Sequence, residues 1–157
     1  MTNRLDERFF ARRADNVAQD LLGRTLVVKV GEDTFVRARL REVAAYEGST
    51  KRTSEGAKYH PGLVSISVKY GQCLVDIATG GGKKKDASCI TLRAADFDIK
   101  GETVKVEGPR RVAKELGITS GTREGYECLP AYGRKIWIEG VPIKQKEIKK
   151  RCNATNK

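Results

Sequence analysis

The chain has 157 residues, 39% of them hydrophobic, enough for one domain with a buried core and too apolar for a disordered chain. Lysine and arginine number 31 against 20 aspartates and glutamates, a net charge of +11; this excess favours a polyanionic partner, nucleic acid first, although a soluble protein of a lysine-rich proteome carries the same charge. No apolar run approaches the ~20 residues that span a bilayer, and Met1 to Arg13 do not read as a signal peptide. The cysteines Cys73, Cys89, Cys128 and Cys152 form no CxxC pair beside the single histidine, His60. An intracellular protein with reduced, buried thiols, no metal site and no membrane partner is therefore expected.

In chain order, Asn16 to Gly23 carries Val17, Leu21 and Leu22 at helical spacing and stops at Gly23, which predicts a short helix packed on Phe9 and Phe10. Thr25 to Val30 is rich in β-branched residues and reads as a strand, followed by a turn at Gly31-Glu32-Asp33. Phe35 to Tyr46 alternates Val36, Ala38 and Leu40 with Arg37, Arg39 and Arg41, a strand with one face in the core. Glu47 to Pro61 is polar and broken by glycine and proline; it reads as a long loop of the kind that often carries function. Leu63 to Tyr70 and Leu74 to Thr79 predict a hairpin around Tyr70-Gly71-Gln72. Gly80 to Lys85 reads as a positive, flexible loop, and Cys89 to Ala94 as a strand.

After a charged connection, Pro109 opens a helix with the apolar stripe Val112, Ala113 and Leu116, stopped by Gly117. Ile136 to Ile138 reads as a short strand. Lys144 to Lys157 reads as a basic tail, helical at its start or a solvated, disordered end. There is no repeat and no linker, so residues 1–157 form one α+β domain.

Three stretches together resemble the alkyladenine (3-methylpurine) DNA glycosylase family. The first is Phe9-Phe10 followed by VAQDLLGRTLVV (Val17 to Val28), similar to the family's opening helix, LLG and strand. The second, RLREVAAYEG (Arg39 to Gly48), resembles the family's IVETEAYxG. It is followed by Pro61-Gly62, SVKYG (Ser67 to Gly71) and CITLRA (Cys89 to Ala94), similar to the PG, YxxYG and VLLRA series. The third, GPRRVAKELGI (Gly108 to Ile118), resembles the helix GPxKLxxALGI. The resemblance covers about residues 5 to 140, and its specificity lies in the order of these motifs rather than in any one of them.

The resemblance implies a curved antiparallel β-sheet, open and barrel-like, flanked by short helices. It implies a monomeric, monofunctional DNA N-glycosylase of base-excision repair, working without a cofactor on double-stranded DNA. The enzyme flips an alkylated purine or hypoxanthine out of the duplex and hydrolyses its N-glycosidic bond. Tyr70 matches the tyrosine inserted into the gap, Tyr46 the tyrosine on which the base stacks, and Arg93 the arginine beside the reacting centre. Asp76 falls where the family has a pocket asparagine, across a one-residue deletion. Lys69, Lys83, Lys84, Lys85, Arg110 and Arg111 are the candidates for phosphate contact.

Several positions depart from the pattern. The family's general base, the glutamate of EAY, is Ala44 here, in Ala44-Ala45-Tyr46. Alanine accepts no proton, and losing a general base typically costs about two to four orders of magnitude in rate. Glu42 is a possible substitute: it shares a strand face with residue 44 at a displacement of about 6.6 Å. Glu47 also lies nearby, at the start of the loop. Ser67 stands where a second pocket aromatic is expected, the loop lacks the expected histidine, and the chain is short at its C-terminus by the family's measure. The alternative function is therefore a catalytically impaired, lesion-binding DNA module.

Overall fold

The computed structural model describes residues 5–46, 61–69, 72–80, 88–117, 131, 133–141 and 152–155, with the backbone alone for 65–69, 72–73 and 152–155. Two helices come first: α1 (Glu7–Phe10) and α2 (Ala14–Leu21). Strands β1 (Thr25–Lys29), β2 (Phe35–Tyr46), β3 (Val64–Lys69), β4 (Gln72–Thr79), β5 (Ser88–Ile99) and β6 (Glu102–Glu107) follow. Helix α3 (Pro109–Glu115) and strands β7 (Ile136–Glu139) and β8 (Cys152–Thr155) complete the chain. The strands form one eight-stranded sheet in the order β3-β4-β5-β2-β1-β7, with β6 on β5 and β8 on β2. All pairings are antiparallel except β8 on β2. This is the expected curved sheet with short helices.

The alternation of β2 explains where the core lies. Ala38 and Leu40 point into a cluster with Val17, Leu21 and Leu22 from the α2 region and Val112, Ala113 and Leu116 from the α3 region. Beyond Leu40 the core residues of β2 are Val43 and Ala45, so the phase has changed. The register shows how: Leu40 pairs with Ala95, Glu42 with Ala94 and Val43 with Leu92. Arg41 and Arg93 are each passed over. An extra residue in a strand reverses which parity faces inward, and here the extra residues sit on both partners. The long strands β2 and β5 therefore keep one face in the core throughout.

Two expectations are corrected. The charged connection before Pro109 is the end of β5 plus β6, a hairpin in which Ile99 pairs with Glu102. Lys100 and Gly101 both have positive φ, 52° and 81°, the signature of the two-residue turn that matches strand twist. The basic tail ends in β8, whose Cys152–Thr155 pair in parallel with Val43–Tyr46. The reason is an open edge: β1 covers β2 only from Phe35 to Arg39, leaving the backbone groups of its last residues to be satisfied elsewhere.

The α2–β1 corner is fixed by Arg24, whose Nε donates to the Asp20 carbonyl at 2.7 Å and whose Nη1 donates to the Gly140 carbonyl at 2.6 Å. Burial pushes its guanidinium below the usual arginine range, with Asp20 opposing and Arg12 adding to the shift. The Phe9 ring lies under both guanidinium groups, 4.7 Å from Arg12 and 5.3 Å from Arg24.

Phe97, 1% exposed, anchors the half of the sheet below the phase change. Phe97→Ala is expected to cost about 3–5 kcal/mol by transfer and cavity, read as a lowered midpoint in urea unfolding.

Candidate active site

The sheet face opposite the core carries Glu42, Ala44, Tyr46, Asp76 and Arg93 of the residues singled out in the sequence. Above the phase change, Val43 and Ala45 point into the core, so Glu42, Ala44 and Tyr46 point away from it. Register then aligns the neighbours. Ala44 pairs with Thr91, and Thr91 pairs with Asp76. Tyr46 pairs with Cys89, and Cys89 with Ala78. Directly opposed residues of an antiparallel pair share a face. Two rows thus cross three strands, a width of about 10 Å.

The floor is made of small side chains. Ala44, Ala78, Cys89 and Thr91 are all buried, at 3% exposure or less, and the half-buried Tyr46 stands at its β2 end. Cys89 is a buried cysteine, as expected. At the β4 end lies Asp76, 1% exposed. Thr91 Oγ1 donates to Asp76 Oδ1 at 2.5 Å. Among the described residues Asp76 is the only buried side chain that carries an ionisable acid or base of the Asp, Glu, Lys, Arg or His type.

Glu42 and Arg93 border the floor where the strands change phase. Glu42 Oε1 lies 3.4 Å from Arg93 Nε, with both side chains about two-fifths exposed at 38% and 40%. The geometry is that of a charge pair rather than a hydrogen bond, because Arg93 Nε has no aligned acceptor. An exposed pair of this kind contributes little to stability, but it holds a carboxylate on the face that carries Ala44.

The predicted residues are thus only partly brought together. Ala44, Glu42, Tyr46, Asp76 and Arg93 share one face. Arg110 and Arg111 are exposed on α3, which packs on the core face through Val112 and Ala113, so they do not border the floor. Lys69 ends β3, paired with Gln72. Tyr70, Lys83, Lys84, Lys85, Glu47 and His60 lie outside the described residues, as do the loop 47–60 and the start of the tail. Ser67 is described by its backbone alone, paired with Leu74 on β3. Thr91 was missed by sequence reasoning: only the register of three strands puts it between residues 44 and 76. Among the described residues no helix is long and apolar enough to cross a membrane.

Thr91→Val removes the hydroxyl that serves a buried carboxylate. The expected cost is about 1–3 kcal/mol, and it should shrink when Asp76 is also replaced by a neutral, apolar residue. A double-mutant cycle in denaturant checks both numbers.

The family profile described as methylpurine-DNA glycosylase matches residues 8–155, so the match runs through β8. A Streptomyces avermitilis protein named "Putative 3-methyladenine DNA glycosylase" is 27% identical over 169 residues, spanning 92% of this chain and 78% of its own. A Myxococcus xanthus protein of the same name is 30% identical over 162 residues, spanning 93% of this chain and 78% of its own.

Proposed function

The chain belongs to the methylpurine-DNA glycosylase family, and from that premise we propose that it flips an alkylated purine out of duplex DNA onto the Tyr46–Asp76 floor and cleaves its N-glycosidic bond. The observation that carries the reading is the paired rows of small side chains, bounded by an aromatic ring at one end and a carboxylate at the other. A flat heteroaromatic base fits beside small side chains and needs a ring to stack on. The +11 charge of the chain supports a duplex partner.

In this reading Tyr70 fills the gap that the flipped nucleotide leaves. Lys69, Lys83, Lys84 and Lys85 hold phosphates near it, Arg110 and Arg111 hold phosphates further out, and the chain acts as a monomer. The reaction forms a bond from a water oxygen to C1′ as the C1′–N bond breaks. An N-alkylated purine departs as a neutral base, so the step needs an acceptor for the water proton and a charge to offset the oxocarbenium sugar. Ala44 supplies neither. Glu42, on the same face and steadied by Arg93, is the substitute acceptor, displaced by about one strand repeat of 6.6 Å. Catalytic groups tolerate only about half an ångström of misplacement, so turnover is slow.

Single-turnover excision of an alkylated purine from duplex DNA should therefore be detectable above the uncatalysed control. Ala44→Glu should raise it by about two orders of magnitude or more, and Glu42→Gln should lower the slow rate of the unaltered chain. No product from either the unaltered chain or Ala44→Glu would sink the enzymatic reading.

The absent carboxylate at residue 44 favours one second reading, a module that binds lesions without cleaving them. It predicts tighter binding to lesion duplex than to intact duplex with no product formed, and loss of that preference in Tyr70→Ala. Equal affinity for both duplexes in a fluorescence titration rejects it.

A further inference from the structure

We propose that the lower half of the outward sheet face holds a second binding site, a groove for a small zwitterion that carries an ammonium and an anionic group. It lies across the Arg41–Asp96 and Glu42–Arg93 pairs from Ala44, and it does not depend on the proposed excision reaction.

The groove follows from register. Ala38 and Leu40 point into the core, as do Ala95 and Phe97, so Arg37, Arg39, Asp96 and Asp98 point outward. Arg39 stands directly opposite Asp96 and therefore diagonally from Asp98, at about 7–8 Å. Thr25 flanks Arg39 on β1, and Thr103 flanks Asp98 on β6. These residues line a cavity of about 370 Å³, within the range of roughly 300–1,000 Å³ that small-molecule sites occupy.

The charges on its two walls do not close on one another. Opposite charges that face each other across a strand pair attract, yet Arg39 Nε donates to the Gly23 carbonyl at 3.1 Å, and its guanidinium meets no acid among the described residues. Arg37 is offset by Glu139 at 2.7 Å and Asp96 by Arg41 at 2.8 Å. Asp98 is exposed, and its carboxylate has neither a hydrogen-bond donor nor a cation among the described residues. Lys105 stands opposite Asp96 on β6 but does not line the cavity. The groove thus keeps one unpaired positive charge on β2 and one unpaired negative charge on β5.

That arrangement limits the ligand. A bare anion such as a duplex phosphate meets the repulsion of Asp96 and Asp98 along with the attraction of Arg39, and a bare cation meets the reverse. A molecule that carries both charges satisfies both walls. Its anionic group accepts from the Arg39 Nη groups, and its ammonium donates to Asp98. The Thr25 and Thr103 hydroxyls, which donate or accept, suit either end.

The probe is O-phosphoethanolamine, titrated into the isotope-labelled full chain while amide resonances are followed by two-dimensional NMR. Saturable shifts are expected at Thr25, Arg39, Asp98 and Thr103. Inorganic phosphate alone and ethanolamine alone should each bind at least about tenfold more weakly, the scale of one lost charge-assisted hydrogen bond. Arg39→Gln and Asp98→Asn should each weaken phosphoethanolamine by a similar factor. Both positions are exposed, and an unchanged urea midpoint shows that each variant is folded. Absence of saturable shifts at these residues overturns the proposal. So does either half-molecule binding as tightly as the whole, or unchanged affinity in either folded variant. Shifts there with undamaged duplex but not with phosphoethanolamine also overturn it, and assign the groove to the DNA backbone.

Discussion

The whole arrangement depends on a paired slip in register. Between Leu40 and Val43 on β2, and between Ala95 and Leu92 on β5, each strand passes over one arginine. A slip on one strand alone would send its remaining side chains to the wrong face. Because both strands slip together, pairing resumes at once and the core stays continuous from Ala38 and Phe97 to Ala45 and Ile90. Such irregularities also increase local twist and bend the strand, which is what a sheet of this size needs in order to curl.

The same slip brings chemistry to the boundary. Arg41 reaches Asp96 at 2.8 Å, and Arg93 reaches Glu42 at 3.4 Å. Both are charge pairs on the face away from the core, and they separate the outward face of β2 into two regions. Below them Arg37 bonds Glu139 at 2.7 Å and Arg39 donates to the Gly23 carbonyl at 3.1 Å, so that half is polar. Above them Ala44, Thr91, Cys89 and Ala78 are small, uncharged and buried. A polar frame beside a row of small, buried side chains follows from residue choice and register.

Much of this was legible in the sequence, for physical reasons. β2 announces itself through strict alternation, α3 through proline at its start and glycine past its end, and the family through motif order. What escaped was non-local. β6 was hidden because its Lys-Gly turn lacks the asparagine or aspartate that usually marks such hairpins, and because Glu102, Lys105 and Glu107 made it read as connection. β8 was hidden because its strand state comes from an open edge about a hundred residues earlier in the chain. The Asp76–Thr91 bond was hidden because nothing near either residue specifies the register of β4 on β5.

Residue 44 occupies a position where fold and reaction separate. Its backbone is held on both sides, by Thr91 of β5 and Asn153 of β8, so strand geometry there is set by pairing and not by the side chain. Alanine keeps the row in register as well as glutamate would, and it removes the cost of a second buried carboxylate on a floor that already holds Asp76. In the proposed reaction it withholds a proton acceptor, worth about 3 to 5 kcal/mol of barrier when a rate falls by two to four orders. Ala44 and Asp76 share one row and Tyr46 stands in the next, so the register that places all three is kept whatever side chain stands at residue 44.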